Sequence, residues 1–129
     1  MSASNAFETA ILQLIFENTN FANIGDTTGL RGSTTAGSLY ISLHTADPGE
    51  AGNQTTNETT YTSYARVAVA RSTTGWTAAS GSVSPDATIS FPACTGGTAT
   101  ITYFGVGTDP SGAGTLLFSG TVSPNSSLS

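Results

Sequence analysis

Residues Leu39–Gly52 read LYISLHTADPGEAG, and this stretch decides the fold class. Leu39, Ile41 and Leu43 alternate with Tyr40, Ser42 and His44. Side chains on a strand point to opposite faces in turn, so this is a strand with one apolar face and one polar face. The alternation ends at Asp47-Pro48-Gly49-Glu50. Pro48 presets φ for the second turn position, Gly49 accepts positive φ at the third, and Asp47 can accept a backbone N–H. The segment therefore predicts a strand, a tight turn, and then a long exposed polar connection through Ser63.

The same stretch holds His44, the chain's one histidine, three residues before Asp47 and six before Glu50. Imidazole and carboxylates are metal ligands, but a second histidine is lacking and the intervening residues turn. The turn reading is preferred, with His44 capping the strand's polar face.

Further strands follow the same logic. Val67 and Val69 share one face in YARVAVARS, and GWTAAS is a short candidate around Trp76. Ile89 and Phe91 alternate in ATISFPA up to Pro92. In TATITYFGVG, Ile101 and Tyr103 alternate with Phe104 and Val106, and TLLFSGTVS is the last strand. Six or seven short strands separated by Gly, Pro, Asp and Ser predict a mostly β fold, an antiparallel, jelly-roll-like β-sandwich.

One helix precedes them. Phe7, Ala10, Ile11, Leu14 and Ile15 recur at helical spacing, with Asn5 as the expected N-cap and Glu8 its capping-box partner. This stripe must be covered, either by the chain's own sheet or by a neighbouring subunit, and the sequence leaves both open. The expected organisation is a helix and Gly/Thr-rich linker over 1–37, the β-sandwich over 38–123, and a flexible tail over 124–129.

Composition agrees. Of 129 residues only 9% are charged, lysine is absent, and Arg31, Arg66 and Arg71 are the only cations against eight carboxylates. A net charge of −5 argues against nucleic acid, because phosphate binding needs clustered Lys or Arg. It argues likewise against an anionic membrane surface. The start, MSASNAFETAILQLIF, lacks a basic region, so no targeting segment is expected.

No constellation points to catalysis. Asp47, Glu50, Glu58, Asp86 and Asp109 all lie in polar, turn-like stretches, none in an apolar setting suited to a general acid. Nucleophile elbow, phosphate loop and dinucleotide fingerprint are all missing. Cys94 is alone, which precludes an internal disulfide, and reads as a small buried thiol. Tyr40, Tyr61, Tyr64, Trp76, Tyr103 and Phe104 suit either a stacking surface or core and cross-strand packing, and packing is preferred. Arg66, between Tyr64 and Val67, reads as an anchor for a loop carboxylate. No catalytic residue, metal or cofactor is expected.

In order, LYISLHTADPGEAG, NETTYTSYARVAVAR, GWT, ISFPACTGGTATITYFGVG and GAGTLLFSGTVS resemble a family of small bacteriophage virion proteins. These are known as tail fibre or minor tail proteins. The resemblance runs from about Leu39 to Val122, through Leu39–Gly49, Tyr64-Ala65-Arg66, Phe104-Gly105-Val106 and Leu117-Phe118-Ser119-Gly120. It implies a non-enzymatic structural protein of the virion exterior, at the tail, the neck or as capsid decoration, made in the host bacterial cytoplasm. Its expected partners are other virion proteins and further copies of itself, such as a trimer, met through Phe7, Ile11, Leu14 and Ile15. The alternative is a receptor-binding module contacting a bacterial surface glycan through Pro48, Glu50, Tyr61, Tyr64 and Arg66.

Overall fold

In a computed structural model describing residues 1–129, the alternating stretch forms strand β1, Ser38–His44. The remaining elements are α1 (Asn5–Phe16), β2 (Val67–Ala70), β3 (Trp76–Ala79), β4 (Ser82–Pro85), β5 (Ala99–Gly107) and β6 (Leu116–Leu128). One sheet has the order β2-β1-β5-β6 and the other is the β3-β4 hairpin. The fold is mostly β, sandwich-like in class, with antiparallel sheets that stay open rather than closing into a barrel. The chain divides into two compact units, Met1–Ser38 with Val69–Thr88, and Leu39–Ala68 with Ile89–Ser129.

In the first unit the N-cap of α1 is Ser4, one residue before the expected Asn5. Its side chain accepts the Phe7 N–H at 3.3 Å, so Glu8 falls outside a capping box. The helix ends where Asn18 takes φ +58° and the Thr19 N–H reaches back to the Gln13 carbonyl at 3.1 Å, a left-handed C-terminal cap. Its buried residue is Phe16, edge-on to Trp76 at 4.8 Å, and not a member of the apolar stripe. Trp76 and Ala78 face inward from β3, and Ser80-Gly81 turns the hairpin with both φ values positive. That geometry matches the right-handed twist of the flanking strands. Gln13 Nε2 donates to the Ala78 carbonyl and Glu17 Oε1 accepts the Ala78 N–H, at 3.3 and 2.7 Å.

In the second unit β5 pairs antiparallel with β1, Ile41 opposite Val106 and Leu43 opposite Phe104. Leu39, Ile41, Ile101 and Val106 form its buried apolar core. The opposite face of β1 is not solvent-facing as the alternation predicts. Ser42 and His44 are fully buried, because the connection after the turn doubles back along β1. Thr59 N–H donates to the Leu43 carbonyl and Thr45 N–H to that of Asn57, both at 2.9 Å. Gln54, Thr59 and Tyr61 of this supposedly exposed connection are buried.

Two other expectations differ from the structure. Ile89 and Phe91 lie in no strand; Phe91 instead stacks on Tyr64 at 6.4 Å, and the Pro92 carbonyl accepts the Tyr61 hydroxyl at 2.7 Å. Residues 124–128, read as a loose tail, continue β6. Thr100 pairs with Ser127 and Ala99 with Leu128, so β5 supplies hydrogen bonds that a Ser- and Asn-rich sequence does not advertise.

Candidate interaction surfaces

Asp47 Oδ1 accepts the Gly49 N–H at 2.8 Å, and Gly49 has φ +70°, the turn that DPGE dictates. Pro48 is buried and Glu50 exposed. His44 takes no part in this turn. Its Nδ1 donates to the Thr56 carbonyl at 2.8 Å, and its Nε2 meets Ser42 Oγ at 2.8 Å. Both ring nitrogens are thus occupied within the fold. No group of three or more His, Cys, Asp or Glu gathers at metal-binding distance.

The densest polar cluster surrounds Arg66, whose side chain is 2% exposed. Nε and Nη2 donate to the two carboxylate oxygens of Glu58 at 2.7 and 2.8 Å. Nη1 donates to the Asp109 carbonyl at 2.9 Å, and Nη2 also to that of Gly112 at 2.8 Å. The planar fork suits this two-pronged grip, and the Glu58 hydrogen bonds hold the guanidinium above its ordinary pKa. Tyr64 completes the cluster. Its hydroxyl accepts the Leu43 N–H at 3.1 Å and donates to Glu58 Oε1 at 2.8 Å. Burial pushes the Tyr64 phenol well above its usual range, and Tyr61 is raised by the same cause.

Gln54, which the sequence reading passed over, ties the same loop. Its Oε1 accepts the Asp109 N–H at 3.0 Å and its Nε2 donates to the Asp109 carbonyl at 3.2 Å. The carboxamide substitutes for a missing strand neighbour. A Cβ at Gly107 or Gly114 would land on it, so glycine is required there for space.

Arg66, Tyr64 and Tyr61, the loop residues considered for glycan contact, therefore use their polar atoms within the chain. A cleft of about 280 Å³ lies beside Glu58, Tyr64, Arg66 and Pro110–Gly112, and another of about 380 Å³ beside Asp47, Glu50 and Leu116–Ser119. Neither gathers the convergent unpaired polar groups that orient a small ligand. Cys94 is half-buried, its Sγ donating to the Gly96 carbonyl at 3.4 Å.

The α1 stripe has a different character. Ile11, Leu14 and Ile15 are half-buried, and Phe7 is 45% exposed with its ring 5.8 Å from Phe21. Ile24 and Leu30 of the same unit are exposed as well. Arg71, to which the sequence reading gave no role, fixes the end of this helix. Its guanidinium donates to the Leu14, Ile15 and Ala36 carbonyls at 2.9, 2.6 and 2.9 Å. A cation there satisfies orphan carbonyls and opposes the negative end of the helix dipole.

A family described as "Podophage GP4 fiber I protein gp80" matches residues 2–129. No curated protein matches the chain.

Proposed function

The chain belongs to the podophage GP4 fiber I protein gp80 family, and on that premise we propose that it joins neighbouring proteins of the virion exterior through the apolar face of α1. Membership makes it a structural protein of a phage particle. The finer reading is a non-enzymatic assembly role, in a homo-oligomer or against other virion proteins of tail, neck or capsid.

The observation that carries this reading is the exposed apolar surface of the first unit. Phe7, Ile24 and Leu30 keep 45%, 39% and 41% of their surface in solvent while Phe16 is buried. An apolar surface of this kind costs free energy until a partner covers it. The glycan-binding alternative is weaker, because the side chains it needs are already hydrogen-bonded within the fold.

Phe7→Asp in the full-length protein tests the reading, since Phe7 is exposed and its loss leaves the Phe16–Trp76 contact intact. Copies of the variant per purified particle should fall to a small fraction of the wild-type number. Unchanged incorporation together with reduced adsorption to host cells would favour the receptor-binding alternative.

A further inference from the structure

We propose that the cleft beside Asp47 and Glu50 receives Leu30 and Arg31 of a second copy of this chain. The inference shares Leu30 with the apolar surface invoked above, but it rests on charges that the α1 reading does not use.

The chain has three cations, and two of them are spent inside the fold. Arg66 holds Glu58 and two loop carbonyls, and Arg71 holds the Leu14, Ile15 and Ala36 carbonyls. Arg31 is exposed, and its side chain has no hydrogen bond or ion pair. The backbone around it is nevertheless fixed. Leu30 exchanges both backbone hydrogen bonds with Phe21, at 2.8 and 2.9 Å. Asn20 Oδ1 accepts the Gly32 N–H at 2.9 Å, and the Asn18 carboxamide brackets the Ser33 N–H and carbonyl. A free guanidinium beside an exposed leucine on a pinned loop has the makeup of an interface anchor. Arginine is enriched where proteins meet, and a rigid loop loses little freedom on docking.

The complement lies in the second unit. Glu50 is exposed, and no donor of the chain reaches its carboxylate. It sits on two successive turns, closed by the Gly49 N–H to Asp47 Oδ1 at 2.8 Å and by the Gly52 N–H to the Gly49 carbonyl at 3.2 Å. Leu117 lines the same cleft of about 380 Å³. β6 pairs Phe118 with Val106 and Leu116 with Gly107, so Leu117 is the extra residue of a bulge, and it is 37% exposed. A bulge re-aims the side chain at its break. The cleft therefore offers an apolar wall to Leu30 and a carboxylate rim to Arg31. Two other clefts lack this match. Glu58, in the cleft beside Arg66, already meets Arg66 and Tyr64, and the cleft of about 310 Å³ beside Phe91, Cys94 and Leu128 has no carboxylate. Because the projecting loop and its seat are different surfaces, copies join head to tail, in a ring or an open row.

Equilibrium sedimentation of the full-length protein, from micromolar to millimolar concentration, should show self-association that weakens as salt rises, because exposed charges are screened. Arg31→Glu and Glu50→Arg should each weaken it by about tenfold or more, since each sets like charges together. Mixed in equal amounts, the two variants should associate as the native protein does, because every arginine then meets a glutamate of the other variant. Both side chains are exposed and unpaired, so the thermal melts of the variants should match the native melt. A native protein of single mass, 13.0 kDa, at every concentration overturns the proposal. So does a mixture that associates no better than either variant alone. Association that survives both charge changes and is lost in Phe7→Asp also overturns this contact, and assigns self-association to α1. The readout is self-association of purified protein and not incorporation into particles, so failure here leaves the α1 reading standing.

Discussion

Arg66 grips Glu58 through both carboxylate oxygens while holding the Asp109 and Gly112 carbonyls of a second loop. Its neighbour Gln54 brackets the same Asp109 backbone, as Gln13 and Glu17 bracket Ala78 in the first unit. Polar side chains stand in for absent strand neighbours where the sheets give way to loops.

Replacing Arg66 by Ala leaves the Gly112 carbonyl without its donor, Glu58 with the Tyr64 hydroxyl alone and the Asp109 carbonyl with the Gln54 carboxamide alone. Losing these hydrogen bonds at a partly exposed pair costs about 1–3 kcal/mol. The denaturant midpoint should fall accordingly. Arg66→Lys should recover only part of the loss, because a point charge cannot reproduce the fork.

Gly107→Ala drives a Cβ into the Gln54 carboxamide and should destabilise by about 1–3 kcal/mol, as overpacking does. Gln54→Ala should cost a similar amount by leaving the Asp109 N–H unpaired, about 1–3 kcal/mol. Together the two changes should cost less than their sum, since truncating Gln54 vacates the space the new methyl needs. A double-mutant cycle from urea unfolding measures the coupling.

Alkaline pH should unfold the protein. The Tyr64 and Tyr61 phenols are raised above the ordinary phenol value of 10.0 chiefly by burial. Between that value and their folded values the unfolded chain binds fewer protons, so stability is complete below about pH 10 and declines as pH rises further. Tyr64→Phe should make the decline shallower. It should also lower stability at neutral pH by about 1–2 kcal/mol through its lost hydrogen bonds. Thermal melts from pH 8 to 11.5 check both effects.

Arg71→Met removes the donors at the end of α1. Amide exchange over Leu14–Thr19 should quicken first, and global stability should drop by about 1–3 kcal/mol.

Strand periodicity carried much of the fold. β1, β2, β3, β5 and the start of β6 lie where alternation or β-rich residues place them. The turn at Asp47–Gly49 and the Arg66 anchor also follow from local chemistry. What escaped depends on distant partners. Ser42 and His44 look solvent-facing because nothing in LYISLH shows that the segment carrying Thr56 returns along β1. β4 carries only Val83 as an apolar signal, although the Ser80-Gly81 dipeptide before it marks the turn. Arg71 lies 56 residues from the Ile15 carbonyl it caps, a pairing that no spacing reveals.

The central claim is that the apolar face of α1 is where this protein meets its neighbours in the virion. An electron cryomicroscopy reconstruction of the parent particle tests it most directly. The account predicts Phe7, Ile11, Leu14 and Ile15 buried against another virion chain, with the Pro110–Gly112 loop free of any such contact. A particle in which α1 faces solvent and that loop carries the contacts would contradict it.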